Sequence, residues 1–246
     1  MSYDFAANSR YMQGPITTQR NSVGLSIVMW VNCTAAQWAS TSQQYGAWIA
    51  NDATSSNDNS LRLTKTNGAA DRVSATGRTS SDGSASETFA DTTWDALWVP
   101  VIGTFTNDSL RNVYIGSTTA IGTNTSTKAV GSALDTIRIG SAANGFSNFG
   151  GLIAEVAFYD KVLSDAEINS FRTGAETGPA PNTIATANCF AYYPLDTDSA
   201  TQTNEGSDAT GDLTVTNAVY SADHPTITAS SSIAPIAHHH YQHNTG

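Results

Sequence analysis

Hydrophobic and polar residues alternate along most of this chain in short runs that end in turn-forming residues, a pattern typical of β-strands. The clearest run is GLSIVMWVNC, which places Leu25, Ile27, Met29, Val31 and Cys33 on one face of an extended strand. Further runs are SYDF, RYMQG, QYGAWIAND, LRLTKTNG, DRVSATGR, SASETFA, LWVPVIGTF, NVYIGS, TIRIGS, CFAYYPL and DLTVTNAVY. The pattern predicts an all-β protein.

One segment, GGLIAEVAFYDKVLSDAEINSFRTG from residue 150 to 174, changes its period from that of a strand to that of a helix. In its first half, strict alternation places Leu152, Ala154, Val156 and Phe158 on one face, and Ile153, Glu155, Ala157 and Tyr159 on the other. Because nearly both faces are apolar, we expect a strand that is covered on each side.

A helix of about two turns is predicted directly after this strand, over residues 164–172. Ser164 is a good N-cap, and Glu167 stands three residues later, which completes a capping box. Leu163 and Ile168 occupy the two positions of a hydrophobic staple. No other segment gives a convincing helix pattern, so one short helix is expected.

The two last strand-like runs are too few to bury a core of their own, so we expect them to rejoin the same sandwich. This predicts one domain over residues 1–225. Residues 226–246 have no hydrophobic period and no charged residue, and we expect them to form an extended arm. The arm is predicted to dock on a neighbouring protein through four residues, Ile233, Ile236, His238 and Tyr241.

The charge of the chain argues against two kinds of partner. Only 13% of its 246 residues are charged, the formal net charge is −10, and the 11 Lys and Arg residues are scattered. Nucleic-acid binding needs a basic patch, so none is expected. No run approaches the roughly 18 apolar residues of a membrane span, so no membrane insertion is expected. The start, MSYDFAANSRYMQG, lacks the features of a signal peptide, which predicts synthesis in a host cytoplasm.

The order GLSIVMWVN, LWVPVIGTFTNDSLRNVYIGS, IRIGS and GGLIAEVAFYDKVLSDAEI resembles the laminin-G-like, concanavalin A-like jelly-roll family. The most specific part is the Gly-x-Ile-x-Glu-Val strand, followed by Tyr159-Asp160 and by Leu163-Ser164-x-x-Glu167-Ile168. The resemblance implies a two-sheet antiparallel jelly-roll sandwich in which a short helix closes one edge. The family includes lectins, glycoside hydrolases, adhesion modules and phage virion components, so the resemblance alone leaves the function open.

A hydrolase of this fold typically carries two carboxylates at even spacing on one strand. Glu155 and Asp160 are five residues apart, a spacing that sends side chains to opposite faces of a strand. A glycoside hydrolase is therefore a remote alternative, and we interpret Glu155 as a structural residue.

Three groups of residues are candidates for binding. Trp38 and Trp94 lie outside the clearest strands and could stack on a sugar, although a core position is the alternative for each. Asp52 and Asp58, in the loop NDATSSNDN, could bind Ca²⁺, with a solvated loop as the alternative. The run HHHYQH could bind a metal in an oligomer through three histidines, His238, His240 and His243.

The two cysteines are Cys33 and Cys189. Cys33 lies on the apolar face of its run and is predicted to be a buried core thiol. A disulfide between the two would require that the strands bring them close, and the sequence leaves that open.

These observations together predict a non-enzymatic structural protein of a bacteriophage virion, such as a capsid decoration, head-fibre or tail-associated component. Its expected partners are capsid or other virion proteins, further copies of itself, and a surface glycan. The alternative is a free carbohydrate-binding module.

Overall fold

The fold is that of a computed structural model, which describes residues 1–7, 9–51, 59–65, 72–79, 83–90, 94–116, 122–131, 133–143, 147–208 and 211–228, with only the backbone of 83–90. The strands are β1 (Ser2–Asp4), β2 (Tyr11–Arg20), β3 (Leu25–Asn32), β4 (Gln44–Ala50), β5 (Ser60–Lys65), β6 (Arg72–Thr79), β7 (Gly83–Ala90), β8 (Val99–Asn107), β9 (Leu110–Ile115), β10 (Gly122–Asn124), β11 (Leu134–Ile139), β12 (Leu152–Tyr159), β13 (Thr177–Pro179), β14 (Cys189–Tyr193), β15 (Thr201–Gln202), β16 (Leu213–Thr216), β17 (Val219–Ser221) and β18 (Thr226–Thr228). The α-helices of this part of the chain are α1 (Ala35–Trp38) and α2 (Asp165–Ser170).

The strands form two large antiparallel sheets. Sheet A has the order β10-β9-β8-β3-β12-β1-β17, with β14 also paired to β12, and sheet B has the order β15-β16-β2-β11-β4-β5-β6-β7. A separate parallel pair joins β13 to β18. The predicted all-β, two-sheet jelly-roll sandwich is confirmed.

The core lies between the two sheets, because one face of each strand is apolar. The predicted set of Leu25, Ile27, Met29 and Val31 on β3, with Cys33 directly after the strand, all belongs to this core. Burial raises the pKa of the Cys33 thiol to about 12, with nearby Lys65 acting in the opposite sense. Cys33 and Cys189 are both buried and both free, so no disulfide joins them.

A second apolar layer covers the outer face of sheet A. Leu163, Ile168 and Phe171, from α2 and its flanks, pack against Tyr159 of β12 and Ile102 of β8. The strand predicted to be covered on both sides is therefore confirmed.

The N-terminus of α2 has the predicted capping box. The Ser164 hydroxyl accepts from the backbone N–H of Glu167, and the Glu167 carboxylate accepts from the backbone N–H of Ser164 at 2.8 Å. Leu163 and Ile168 are both buried, as a hydrophobic staple requires. The helix predicted over residues 164–172 is confirmed, with α2 itself somewhat shorter.

The strict alternation predicted for β12 is wrong, because Glu155 forms a β-bulge. Glu155 has a φ of 51°, and the pairing with β3 shifts register between Ala154 and Ala157. Ile153 therefore faces the core together with Val156, whereas alternation placed them on opposite faces. On the side away from β3, strand β12 pairs with β1 before the bulge and with β14 after it.

Helix α1 was not predicted. Thr34 caps it through a second capping box, in which the Gln37 side chain accepts from the Thr34 backbone N–H at 2.7 Å. The helix turns Trp38 into the core, where its side chain is 2% exposed.

The C-terminal part of the described chain returns to the sandwich as predicted, since β14 joins sheet A and β16 joins sheet B. Thr226–Thr228, the first three residues of the predicted arm, pair with β13. Gly178 of β13 passes so close to the layer beneath that a Cβ there would lie 2.7 Å from the Trp30 ring. The remaining arm residues, with Ile233, Ile236, His238, His240, Tyr241 and His243, lie outside the described residues.

None of the helices in the described residues is long and apolar enough to cross a membrane.

Candidate ligand-binding site

The outer face of sheet B carries charged and aromatic side chains in the middle of the sheet. The strands of this sheet alternate, so that on β5 Leu61 and Leu63 face the core while Arg62 lies on the outer face between them. On β11, Ile137 and Ile139 flank Arg138 in the same way. Each arginine is therefore placed by the apolar residues on either side of it.

Six outer-face residues stand directly opposite one another on neighbouring strands, and we call them the polar row. In order across the sheet they are Thr214, Gln13, Arg138, Trp48, Arg62 and Thr76. Directly opposed residues in an antiparallel pair have side chains on the same face, about 4.5–5.5 Å apart at Cβ. The backbone pairing of the sheet thus sets the spacing of the row.

Arg138 is held from several sides. Its guanidinium lies 3.7 Å from the centre of the Tyr11 ring, it donates to Gln13 Oε1 at 2.7 Å, and it donates to Ser141 Oγ at 3.0 Å. The residue is 3% exposed. Burial lowers the pKa of Arg138 to about 10, with Tyr11 acting in the opposite sense, so the guanidinium is still charged at neutral pH.

Arg62 has a comparable environment two strands away. Its guanidinium lies 4.9 Å from the centre of the Tyr45 ring and 5.0 Å from that of Trp48, and it donates to the Tyr45 hydroxyl at 2.9 Å. Trp48 is fully buried and donates from Nε1 to the Ser141 carbonyl at 2.9 Å. Trp48 is therefore a buried member of the row, and its ring is not exposed to a ligand.

A cavity of about 390 Å³ opens at one end of the polar row. Its described lining consists of Tyr11, Gln13, Arg138, Ala143, Thr214 and Thr216. This volume lies in the range of small-molecule sites, roughly 300–1,000 Å³. The described lining offers an aromatic ring, a guanidinium, an amide and two hydroxyls, and it contains no acidic residue.

The two tryptophans proposed as sugar platforms lie apart from this cavity. Trp38 is buried in the core, which agrees with the core position considered for it and leaves no ring exposed to a sugar. Trp94 is half-buried, and the guanidinium of Arg172 lies 4.5 Å from the centre of its ring. The two candidate calcium ligands, Asp52 and Asp58, lie outside the described residues. Within the described part of the chain, no group of three or more His, Cys, Asp or Glu residues is arranged to hold a metal ion.

Glu155 lies in a buried polar cluster, away from the polar row. Its side chain is 2% exposed, accepts from the Tyr192 hydroxyl, and lies 2.8 Å from Nε2 of His224. Burial and the nearby Glu155 raise the pKa of Tyr192 well above its usual value. Asp160 has different neighbours, since it accepts from Asn188 at 2.9 Å and lies 3.7 Å from Arg20. The bulge overturns the spacing argument for these carboxylates, but among the described residues they share no hydrogen-bond or ion-pair partner.

The sequence contained a signal for the polar row that was missed. Runs such as LRL and IRI place a charged residue between two apolar ones on a predicted strand. Such a residue must lie on the outer face of the sheet. Alternation along each strand also assigns Gln13 and Trp48 to the outer face. A comparison of these assignments with those of the two arginines would have suggested one shared surface.

Two stacked antiparallel sheets, a capped helix against one of them and a polar cavity on the other define a lectin-like jelly-roll domain. Residues 7–169 match the sequence profile of the Laminin_G_3 family, described as the concanavalin A-like lectin/glucanases superfamily. The match covers well over half of the chain, and the chain belongs to this family.

One solved structure supports the fold. A protein from Bacteroides ovatus that has been suggested to bind carbohydrate is 12% identical, with a TM-score of 0.53 over 89% of this chain. The chain spans 62% of the length of that protein. A heptameric SAP-like pentraxin from Limulus polyphemus is 12% identical, with a TM-score of 0.48 over 69% of this chain and 79% of the pentraxin. A comparison with curated protein sequences found no match.

Proposed function

We propose that this chain is a non-enzymatic carbohydrate-binding module whose ligand lies in the cavity at the end of the polar row. The observation that carries the proposal is the set of side chains around that cavity, where Tyr11, Gln13, Arg138, Thr214 and Thr216 converge on about 390 Å³. The lectin-like fold supports the same conclusion.

The chemistry of the cavity suits a sugar. A pyranose ring presents an apolar C–H face and a rim of hydroxyls, and an aromatic ring beside polar groups satisfies both. Tyr11 is half-buried and supplies an aromatic edge, while Gln13 and Thr214 stand opposite each other and supply hydrogen-bonding groups. All three residues lie on β2 and β16, so paired strands rather than loops position them.

The positions of the carboxylates support a binding role rather than a catalytic one. Glycoside hydrolysis generally requires two carboxyl groups on either side of the bond that is cleaved. The described lining of the cavity contains no acidic side chain. Glu155 is buried against Tyr192 and His224 on strand β12, which belongs to the other sheet.

The binding proposal is tested by measuring glycan binding and by substituting Gln13. Labelled protein is applied to a glycan array, and the affinities of the bound glycans are then measured by titration calorimetry. Gln13→Ala should weaken binding several-fold, because a hydrogen bond contributes about 0.5–1.5 kcal/mol. Gln19→Ala is the matched control, since Gln19 lies on the same strand but is not among the residues that line the cavity. Equal binding by wild type and Gln13→Ala would contradict the proposed site.

The setting we propose is a bacteriophage virion, with the module as a capsid decoration, head-fibre or tail-associated component. The low content of charged residues, 13%, and the uncharged sequence of residues 229–246 support a segment that docks on protein. The chain should purify with virions in a fixed ratio. Deleting residues 230–246 should weaken attachment or self-association while leaving the thermal midpoint of the domain nearly unchanged. Attachment of the truncated chain at the full-length level would contradict this role for the arm.

A further inference from the structure

We infer that the ligand of the cavity is a sugar that carries an acetamido group, and that Arg138 acts indirectly by fixing the orientation of the Gln13 side-chain amide. This inference rests on the proposed carbohydrate-binding function and narrows it to one chemical class. Arg138 is then a positioning residue, and Gln13 is the residue that contacts the ligand.

The three nitrogens of the Arg138 guanidinium all donate hydrogen bonds inside the protein. Nη1 donates to Gln13 Oε1 at 2.7 Å, while Nε and Nη2 donate to Ser141 Oγ at 3.3 and 3.0 Å. The guanidinium carbon lies 3.7 Å from the centre of the Tyr11 ring, and the residue is 3% exposed. Arg138 is therefore held by its protein neighbours, and its effect on a ligand passes through them.

The contact with Arg138 determines which end of the Gln13 amide is left for a ligand. A guanidinium has donors and no acceptor, so only the amide oxygen can face it. The NH₂ group is bonded to the same carbon and is directed away from Arg138. In the described part of the chain, Nε2 of Gln13 has no hydrogen-bond partner. Gln13 therefore offers a donor, and it cannot turn to offer its oxygen without breaking a hydrogen bond to a charged group.

The order of the strands directs this donor toward the cavity. Strand β2, which carries Gln13, lies between β11, which carries Arg138, and β16. The Gln13 oxygen faces β11, so the NH₂ group is directed to the side of β16, where Thr214 and Thr216 line the cavity. Threonine hydroxyls both donate and accept, so they accommodate either kind of partner. Gln13 is the residue whose fixed amide requires an acceptor from the ligand.

The lining of the cavity suits both parts of an acetamido group. Its carbonyl oxygen only accepts hydrogen bonds, which matches the fixed N–H donor of Gln13. Its methyl group is apolar, and the Ala143 side chain and the Tyr11 ring also line the cavity. A hydroxyl in the same place could accept from Gln13 but would leave these apolar groups uncovered. An acetamido sugar therefore uses more of the cavity than its parent sugar.

The test compares acetamido sugars with analogues of similar shape that are poor acceptors. Titration calorimetry is run on the wild-type chain with N-acetylglucosamine and N-acetylgalactosamine, with their N-thioacetyl analogues, and with glucose and galactose. Sulfur is a weak acceptor. At least one acetamido sugar should bind about two- to tenfold more tightly than its thioacetyl analogue, which is the range of one neutral hydrogen bond. It should also bind more tightly than its parent sugar.

Gln13→Glu tests the donor. Glutamate has nearly the same shape and still accepts from Arg138, but its carboxylate has no N–H group. The preference for the acetyl over the thioacetyl sugar should therefore disappear. Gln19→Glu is the matched control, because it introduces the same charge on the same strand but is not among the residues that line the cavity, and it should keep the preference.

A double-mutant cycle tests the role of Arg138. Arg138→Met should weaken binding of the acetamido sugar about two- to tenfold, because the ligand must then order the Gln13 amide itself. In the Gln13→Ala background the same substitution should change the affinity little, since its effect passes through Gln13. Arg138→Lys keeps a donor for Gln13 Oε1 and should retain most of the affinity. Circular dichroism verifies that the variants fold, and the Gln13→Glu comparison does not depend on any substitution of Arg138.

The outcomes separate this inference from the proposed function. Equal affinities for acetyl and thioacetyl sugars, with binding still sensitive to Gln13→Ala, would overturn the acetamido inference and leave carbohydrate binding in place. A preference that survives in Gln13→Glu would also overturn it. An equal loss from Arg138→Met with and without the Gln13 side chain would overturn the positioning role. Absence of binding to any sugar would contradict both proposals.

Discussion

Replacing Arg111 with methionine should destabilise the whole domain, because this buried arginine links two loops at one end of sheet A. Arg111 is on β9 and is 1% exposed. Its guanidinium donates to the Asp108 carbonyl at 2.9 Å, the Ser126 carbonyl at 3.0 Å and the Lys128 carbonyl at 3.1 Å. It also donates to Asn124 Oδ1 at 3.2 Å. Burial lowers the pKa of Arg111, whereas Asp108 acts in the opposite sense.

The loss of stability depends on which of the four oxygen atoms bound by Arg111 keep a second hydrogen-bond donor after the substitution. The Asp108 carbonyl still accepts from the Lys128 backbone N–H at 2.7 Å, and Asn124 Oδ1 still accepts from the Ser126 backbone N–H at 2.9 Å. The carbonyls of Ser126 and Lys128 lose the donor that Arg111 provides. Ser126 is exposed and Lys128 is partly exposed, so water can replace the lost donor at each carbonyl. Each lost hydrogen bond then costs about 0.5–1.5 kcal/mol, and the expected loss is about 1–3 kcal/mol. Methionine fills much of the same volume, which keeps the cavity contribution small.

Urea denaturation measures this loss. For a slope of roughly 2–3 kcal/mol per M, a loss near 2 kcal/mol lowers the midpoint by about 0.8 M. Arg172→Met is the control, since Arg172 is half-exposed, and breaking its contacts with Trp94 and the Gly174 carbonyl should cost about 1 kcal/mol or less. If Arg111→Met unfolds within about 0.3 M of the wild type, the reasoning from unsatisfied carbonyls is wrong.

Three further predictions concern α2 and the Glu155 cluster. Ser164→Ala should lower the free energy of unfolding by about 0.5–2 kcal/mol through loss of the cap, and an unchanged denaturation midpoint would count against it. Burial opposes ionisation of Glu167, but hydrogen bonds from Lys161 and Ser164 outweigh it and lower the pKa of Glu167 below 4.5. Its stabilisation should therefore be complete above pH 4.5 and lost as pH falls through the lowered value, a decline that Ser164→Ala should reduce in denaturation curves against pH. Glu155→Gln should cost about 1–3 kcal/mol, because the buried carboxylate faces Tyr192 and His224. Release of reducing ends from β-glucans or galactans that disappears in this variant would show that Glu155 is catalytic.

Local signals explain why the β12–α2 segment could be predicted from sequence. A capping box, a staple and a change of period all lie within a few residues of one another, so the pattern does not depend on distant parts of the chain. A capping box is also present at α1, formed by Thr34 and Gln37, but no helix was predicted there. A helix of four residues is too short to show a hydrophobic period, and the sequence therefore left Trp38 open between a core position and an exposed ring.

The bulge at Glu155 could not be predicted, because its cause is not local. Strand β12 pairs with β1 at Ile153 and with β14 from Val156 onward, and the extra residue lies between these two pairings. Which strands flank β12 is a property of the whole sheet. Alternation along one strand cannot reveal it, so the face assigned to every residue before the bulge was exchanged.

The outer faces of the two sheets differ in a way that bears on function. On sheet A, α2 and the segments around it cover the outer surface with a second apolar layer, and Trp30 and Trp98 are buried there. On sheet B, the middle of the outer surface carries Arg138 and Arg62 with a cavity beside them.

Arg138 lies on β11, which is paired on both sides, with β2 and with β4. A side chain on such a strand is placed more accurately than one on a loop. The position of Arg138 within the sheet therefore supports a role in holding Gln13 and Tyr11, the side chains that line the cavity with it.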